Sequence, residues 1–262
     1  MTVLDDIVVG VREDLAVRMS RVPLNEVEAA ALDAPTPLDA MSRFRAPGLS
    51  VIAEVKRRSP SKGDLAAIAD PALLAREYAS GGAAAISVLT ESRRFNGTLA
   101  DLDAVRAGVE VPVLRKDFMV EEYQFFEARA HGADMVLLIV AALTDAELAR
   151  FHALALELGM TPLVETHTAT EVDRALAIGA QLIGVNNRNL KTLEVDLATF
   201  GGLAARIGDQ ALKVAESGIL TPEDASRAAS EGADVILVGE ALVRHGDPRG
   251  AVTALAAGAV PA

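Results

Sequence analysis

The sequence contains no cysteine and no tryptophan among its 262 residues, and aromatic residues make up only 3% of it. Without cysteine, the chain can form no disulfide bond, no thiolate metal site and no cysteine nucleophile. Because hydrophobic residues nevertheless reach 51%, the core must consist mainly of Ala, Val, Leu and Ile. This composition, with 24% charged residues, is typical of a compact globular protein rather than a disordered one.

Basic residues are in deficit as well. The chain has 25 Lys and Arg against 37 Asp and Glu, which gives a formal net charge of -12. This excess of acid opposes non-specific binding to nucleic acid, so we expect no nucleic-acid partner. An anionic substrate would need a local cluster of cations. The residues expected to supply it are Lys56, Arg57, Arg58, Lys62, Lys116 and Arg188.

Long apolar segments are also missing. The longest apolar run, residues 135–143, is far below the ~18 residues that would indicate a membrane span. Four acidic residues lie within the first 14 positions, where a signal peptide would need an apolar core. We therefore expect a soluble, cytoplasmic protein without membrane contact.

Eight short runs rich in Val and Ile alternate with segments of helical periodicity. The strands are predicted at 51–55, 84–89, 112–116, 135–140, 161–165, 182–186, 212–216 and 235–239. The helices predicted between them include 71–80, 99–107, 121–131, 145–158, 168–178 and 222–231. Continuously apolar strands indicate a parallel sheet that is covered by helices on both faces. Eight such units favour an α/β fold with a closed (β/α)8 barrel, and a doubly wound open sheet is the alternative.

The first fifty residues fit no barrel unit. Val3, Leu4, Ile7, Val11 and Leu15 fall on one helical face, which predicts an extra amphipathic helix. Residues 34–50, with three prolines, indicate a connector and a short helix. We expect one TIM-barrel domain over residues 1–262, in which 1–50 form an N-terminal helical extension and 51–262 form the barrel. The length is near the ~250 residues typical of such a domain.

Charged or amide side chains stand at the ends of five predicted strands. In a barrel, the carboxyl ends of the strands form the mouth where reactions occur. Buried charges are costly unless they are paired or used. Any one of these residues is equally well explained by a salt bridge at the rim, but six of them together predict an active site. They are Glu54, Lys56, Lys116, Glu165, Asn186 and Glu216.

The loops after the seventh and eighth strands resemble phosphate anchors. Ser217 and Gly218 follow one strand, and Gly239 and Glu240 follow the next. Barrel enzymes commonly hold phosphate between these two loops, although each motif alone is also typical of an ordinary turn. Apolar residues near the mouth are expected either to pack in the core or to line a pocket for a flat ring. They are Phe95, Phe118, Leu137, Leu190 and Leu193.

The four histidines show no spacing typical of metal ligands, so we predict no metal site. His131, His152 and His245 are expected at the surface or in packing, and only His167 lies near a strand end. Asp117 follows Lys116 directly and should point the other way, where it would support the barrel or the lysine.

Several long motifs occur in order along nearly the whole chain. They are VIAEVKRRSPSKG, AAISVLTESRRFNGTLADL, PVLRKDFMV, GADMVLLIVAAL, LVETHT, IGVNNRNL, AESGI and VLVGEAL. Together with the N-terminal extension, these motifs resemble the indole-3-glycerol-phosphate synthase family of tryptophan biosynthesis.

The resemblance implies a (β/α)8 barrel that converts 1-(2-carboxyphenylamino)-1-deoxyribulose 5-phosphate to indole-3-glycerol phosphate, carbon dioxide and water, without cofactor or metal. The family's catalytic lysine falls on Lys116. The resemblance places the other catalytic or supporting roles on Glu54, Lys56, Glu165, Asn186, Arg188, Glu216 and Ser217. It places the phosphate environment on Ser59, Gly218, Gly239 and Glu240. Other enzymes of the pathway are conceivable partners, but nothing in the sequence indicates one.

Three alternatives stay open at this stage. A phosphoribosylanthranilate isomerase is a related barrel, but that family relies on a cysteine base that this chain lacks. A lysine-dependent aldolase would form a Schiff base at Lys116, which borohydride would trap. A non-catalytic barrel that binds a phosphorylated ligand would keep Ser217, Gly218 and Gly239 but would have no need of Lys116 and Glu165.

Overall fold

The structure, a computed structural model, describes residues 2–65, 67–189, 192–243 and 246–258. Eight parallel strands form a closed barrel in which each strand pairs with the next along the chain and the eighth pairs with the first. The strands are β1 (Ser50–Val55), β2 (Ala85–Leu89), β3 (Val113–Lys116), β4 (Met135–Ile139), β5 (Thr161–Thr166), β6 (Leu182–Asn186), β7 (Leu212–Glu216) and β8 (Val235–Val238). The predicted (β/α)8 barrel is confirmed, and the open sheet is excluded.

Helices cover the outside of the barrel. They are α1 (Val3–Arg21), α2 (Leu24–Asp33), α3 (Ala40–Phe44), α4 (Pro71–Ser80), α5 (Leu99–Gly108), α6 (Tyr123–Ala130), α7 (Asp145–Glu157), α8 (Ala169–Ala177), α9 (Ala198–Ile207), α10 (Pro222–Ser230), α11 (Glu240–Val243) and α12 (Pro248–Ala257). Capping side chains begin several of them: Thr221 Oγ1 accepts from the Asp224 backbone N–H, and Pro222 follows at the first helical position. A 3-10 turn, Val140–Ala142, follows β4.

Two apolar layers hold the barrel together. One lies between the strands and the outer helices, where Val136, Phe151 and Ile183 are fully buried. The other fills the barrel interior, where Ile52 and Leu163 pack with further inward-facing residues. Because successive strand residues alternate between these layers, the same alternation carries Glu54 and Glu165 into the interior above the apolar filling.

The N-terminal segment reaches both ends of the barrel. Leu4 and Ile7 of α1 pack with the barrel interior at the mouth. At the other end, Phe44 of α3 joins the same interior cluster, and the Leu38 backbone N–H donates to Asp134, directly before β4. The helical extension is therefore present, while the division into residues 1–50 and 51–262 of one domain stays a prediction. Among the described helices, none is both long and apolar enough to cross a membrane.

Candidate active site

A cavity opens at the carboxyl ends of the strands. It brings together the predicted site residues that the structure describes, which lie on β1 and β3 to β7 or in the segments that follow the strands. These are Glu54, Lys56, Ser59, Phe95, Lys116, Phe118, Leu137, Glu165, Asn186, Arg188, Glu216, Ser217, Gly218, Gly239 and Glu240. Leu190 lies outside the described residues.

Lys116 lies at the end of β3 and projects its ammonium between two carboxylates. Its Nζ is 3.3 Å from Glu216 Oε2 and 3.4 Å from Glu165 Oε2, and its side chain is 13% exposed. Burial by itself would lower the pKa of Lys116, but the charges of Glu216, Glu165 and Glu54 outweigh burial and raise this pKa above its usual range. The site therefore holds a buried lysine that is protonated at neutral pH.

Glu54 on β1 and Lys56, which follows this strand directly, form a second ion pair. Lys56 Nζ donates a hydrogen bond to Glu54 Oε1. Burial would raise the pKa of Glu54, yet the charges of Lys56 and Lys116 lower it below its ordinary value. An ammonium and a carboxylate are thus in direct contact at one wall of the cavity.

Glu216 has the opposite behaviour. Its burial raises its pKa to about 8, against the lowering effect of Lys116 and with further raising by Glu165 and Glu54. Its Oε1 is buried and has no hydrogen-bond partner in the described part of the chain. Glu216 therefore takes up a proton more readily than Glu54, whose pKa is lowered.

A hydrogen-bonded chain fixes the neighbouring strand ends. Asn186 Nδ2 donates to Glu165 Oε1 at 3.1 Å, and Asn186 Oδ1 accepts from the Arg188 backbone N–H at 2.9 Å. Arg188 also donates through Nη1 to the Leu193 carbonyl. Burial lowers the pKa of Arg188, against the charge of Glu240. Asn186 thus sets the orientation of Glu165, and the guanidinium lies at the mouth.

The two predicted phosphate loops lie side by side at the same mouth. Ser217 has a φ of 66°, a left-handed conformation that non-glycine residues adopt at a cost. Its carbonyl accepts from Asn187 Nδ2 at 3.0 Å, which helps to hold this conformation. Strained residues of this kind cluster at functional sites. Ser217 and Gly218 both line the cavity.

The first loop of the barrel forms the rim, and one prediction about it is wrong. Lys62 Nζ lies 2.9 Å from Glu240 Oε1, which links this loop to the start of α11. Arg57, which we expected among the cations of the mouth, turns outward instead. Its guanidinium binds both carboxylate oxygens of Asp101 on α5 and the Ile68 carbonyl. The carboxylate of Asp101 on the outer helix supplies a stronger partner than solvent at the rim.

Helix α1 contributes to the apolar wall, which was not predicted from the sequence. Phe95 and Phe118 lie with their ring centroids 6.1 Å apart, next to Leu137 and Leu193. The first turns of α1 also line the cavity, with Val3, Leu4 and Ile7. The amphipathic pattern predicted this helix, but no local signal shows that its apolar face closes over the mouth.

Asp117 and His167 support neighbouring residues of the site through hydrogen bonds. Asp117 accepts from Thr90 Oγ1 at 2.6 Å and from Arg115 Nη2 at 3.0 Å, in agreement with a supporting role. His167 donates through Nδ1 to the Asn186 carbonyl at 2.7 Å. Within the described ranges, no group of three or more His, Asp or Glu could hold a metal ion. His245 lies outside those ranges.

Comparisons with known proteins agree over nearly the whole chain. A family model described as Indole-3-glycerol phosphate synthase matches residues 4–255. A protein with this name from Nocardioides sp. is 64% identical over 252 residues, which cover 96% of this chain and 97% of the relative. Another from Paenarthrobacter aurescens is 61% identical over 258 residues, which cover 97% and 95%.

Solved structures with lower identity share the fold. The 3-hexulose-6-phosphate synthase of Salmonella typhimurium matches with a TM-score of 0.66 at 14% identity, over 80% of this chain and 98% of that chain. A second structure titled 3-hexulose-6-phosphate synthase matches with a TM-score of 0.64 at 19% identity, over 80% and 99%. At these identities the likeness concerns the barrel alone.

Proposed function

Because the chain belongs to the indole-3-glycerol phosphate synthase family, we propose that Lys116 begins the family's reaction by protonating the substrate's ribulose carbonyl. The protein is a carbon–carbon lyase that forms indole-3-glycerol phosphate, carbon dioxide and water from 1-(2-carboxyphenylamino)-1-deoxyribulose 5-phosphate. The observation that carries the proposal is the Lys116 ammonium, buried in the cavity and held between Glu165 and Glu216.

Ring closure needs an acid at the carbonyl oxygen. The aromatic carbon that bears the carboxylate attacks the ribulose carbonyl carbon, and the oxygen becomes a hydroxyl by taking a proton from Lys116. The raised pKa of Lys116 keeps this proton available at neutral pH. The two carboxylates then stabilise the site by fixing the amine in place. Holding the sugar chain against the ring removes most of the entropic cost of the attack.

Decarboxylation follows when the carbon–carboxylate bond breaks and its electron pair returns to the ring. In our proposal Lys56 binds the substrate carboxylate before this step, since it is a cation at the wall of the cavity. Phe95 and Phe118 hold the aromatic ring, because two tilted rings supply an apolar surface of the right shape. Carbon dioxide is neutral, so its formation releases Lys56 from its ionic partner.

Dehydration then needs an acid and a base on neighbouring atoms. The hydroxyl leaves as water with a proton from Lys56, while Glu54 takes a proton from the adjacent carbon and the indole double bond forms. The direct Lys56–Glu54 contact supports this assignment, because one pair in contact can serve two adjacent atoms. Over the three steps the enzyme gives two protons and receives one. This balances the charge that the substrate carboxylate loses as carbon dioxide.

The phosphate group belongs, in the same proposal, between the loops after β7 and β8. Ser217 and Gly218 line one side of this part of the cavity, and Gly239 lines the other. Arg188 supplies a cation at the same mouth, and Ser59 adds a hydroxyl from the rim. This arrangement agrees with the position at which barrel enzymes commonly bind phosphate.

Replacing Lys116 by alanine tests the proposal. We expect Lys116→Ala to fold normally and to lower kcat by about 100-fold or more, because the carbonyl loses its acid. Indole fluorescence of the product measures the rate against a background without tryptophan. Lys213→Ala is a matched control, because this side chain is also 13% exposed but lies at the start of β7, away from the mouth. Near-normal turnover in a folded Lys116→Ala protein would overturn the assignment.

A further inference from the structure

Gly184 lies in the middle of β6, where the backbone does not require glycine. Its conformation is that of an extended strand, without the positive φ that Gly179 adopts at the preceding turn (74°). Glycine within a strand weakens it, since it adds no packing and loses more entropy on folding. A glycine in such a position often marks a place where another group approaches closely.

The approaching group is the carboxylate of Glu216. A Cβ added at Gly184 would lie 2.1 Å from Glu216 Oε1 and 3.3 Å from Leu163 Cδ1. Glu216 belongs to the adjacent strand β7, where it pairs in register with Asn186, so its side chain leans back along β6 over Gly184. In that position Oε2 comes within 3.3 Å of Lys116 Nζ, while Oε1 fills the space that a side chain would take.

We infer that Gly184 is a positioning residue. Because it has no side chain, it leaves a niche in the barrel interior that holds the Glu216 carboxylate beside Lys116. The interior is closely packed, so a methyl group at this point must displace the carboxylate. The nearest contact is with the flexible end of the Glu216 side chain, which would move away from Gly184. This inference rests on the proposed function, because Glu216 matters for turnover only if it acts on Lys116.

A second glycine of the cavity also leaves space for a carboxylate from the adjacent strand. A Cβ added at Gly239, directly after β8, would lie 2.7 Å from Glu54 Oε1 and 3.3 Å from Lys56 Nζ. Strand β8 is the neighbour of β1, so here too a carboxylate lies over a glycine on the adjacent strand. Gly239 also faces the proposed phosphate position, which makes Gly184 the cleaner residue to test.

The experiment compares Gly184→Ala with the double variant Gly184→Ala/Glu216→Asp. We expect Gly184→Ala to lower kcat by about 10- to 100-fold, the loss typical of a misplacement near 1 Å, with a much smaller change in KM. Aspartate is one methylene shorter and vacates the niche. The double variant should therefore regain the turnover of Glu216→Asp alone. Gly202→Ala is the control, because a Cβ there meets nothing within 4 Å.

A crystal structure of Gly184→Ala completes the test, and we expect Glu216 Oε2 to have left Lys116. An unmoved carboxylate, or a double variant slower than Glu216→Asp alone, would overturn the inference. If Gly184→Ala does not fold, a double variant that folds supports the niche, and a double variant that also fails to fold overturns it. Full turnover in Glu216→Gln would instead overturn the role proposed for Glu216, and the position of the carboxylate in the crystal would then decide the niche by itself.

Discussion

At the scale of single residues, the pKa values in the site result from the opposing effects of burial and neighbouring charges. Lys116 is buried and would by itself lose its proton more readily, but three nearby carboxylates reverse this tendency. Glu54 stays ionised because Lys56 and Lys116 face it, whereas Glu216 has a pKa raised to about 8. Glu54 and Glu216, two carboxyl groups of the same intrinsic acidity, thus differ in pKa according to their surroundings.

Replacing Glu165 should therefore change the pH dependence of turnover. In Glu165→Gln one of the carboxylates that raise the pKa of Lys116 is gone, so that pKa falls. Activity that needs the protonated lysine is lost as the pH rises through this pKa, and we expect the alkaline limb of the kcat/KM profile to move to lower pH.

The measurement is a pH profile in the alkaline range beside the surface control Asp173→Asn. Asp173 pairs with Arg206 outside the cavity, so its replacement should leave the alkaline limb where it is. An alkaline limb that stays in place in Glu165→Gln would show that this carboxylate does not maintain the charge of Lys116.

At the scale of elements, an ionic network joins the strand that carries Lys116 to two helices. Arg115 on β3 is 1% exposed in its side chain and lies 2.9 Å from Glu127 on α6 and 3.0 Å from Asp117. Glu127 also binds Arg18 on α1 at 2.7 Å. Because Arg115 precedes Lys116 directly, the network on the outer face of β3 holds the strand end whose inner face carries the proposed acid.

Removing Glu127 should destabilise the fold strongly. We expect Glu127→Ala to lower the free energy of unfolding by about 3 kcal/mol or more, because it leaves the buried Arg115 with an incomplete set of partners. Arg18→Ala should cost on the order of 1 kcal/mol, because Arg18 is about one-third exposed and its loss leaves Glu127 paired with Arg115.

Urea denaturation of both variants measures the difference. Equal losses would contradict the expectation, since they would mean that the buried and the partly exposed members of the network contribute alike.

At the scale of the whole molecule, the N-terminal extension packs both on the mouth of the barrel and on its outside. Its helix α1 covers the mouth with Leu4 and Ile7 and then packs Leu15 against Val27 and Tyr123 on the outside. Tyr123 also donates its hydroxyl to the Val22 carbonyl at 3.1 Å. The extension is thus part of the cavity wall and of the outer packing at once.

Leu15→Ala should show how much this packing contributes. Leu15 is 1% exposed, and a cavity left by such a side chain costs about 3 kcal/mol in the free energy of unfolding. Leu32→Ala on α2 is the matched control, because Leu32 is 80% exposed and its loss should be nearly neutral. Denaturation curves of both variants give the comparison, and similar midpoints would show that α1 does not stabilise the barrel.

Much of the fold followed from local pattern. The eight strands begin and end within one residue of their predicted positions, and helices such as Pro71–Ser80 occur where the sequence indicates them. Helix α9 was not predicted, because Gly201 and Gly202 weaken its helical signal and its stability comes from packing on β6 and its neighbours instead. The residues at the mouth were found because charge at the end of an apolar strand has a local signature.

The sequence by itself therefore determined the barrel, its reactive end and the family, because apolar periodicity, strand-end charges and ordered motifs are all local properties of the chain. The tertiary structure alone decided which groups meet. It turned Arg57 outward to Asp101, brought α1 over the mouth and laid the Glu216 carboxylate across Gly184. These outcomes depend on distances between segments far apart in the chain. Such distances are fixed by close packing and by the cost of burying unpaired charge, which no local pattern records.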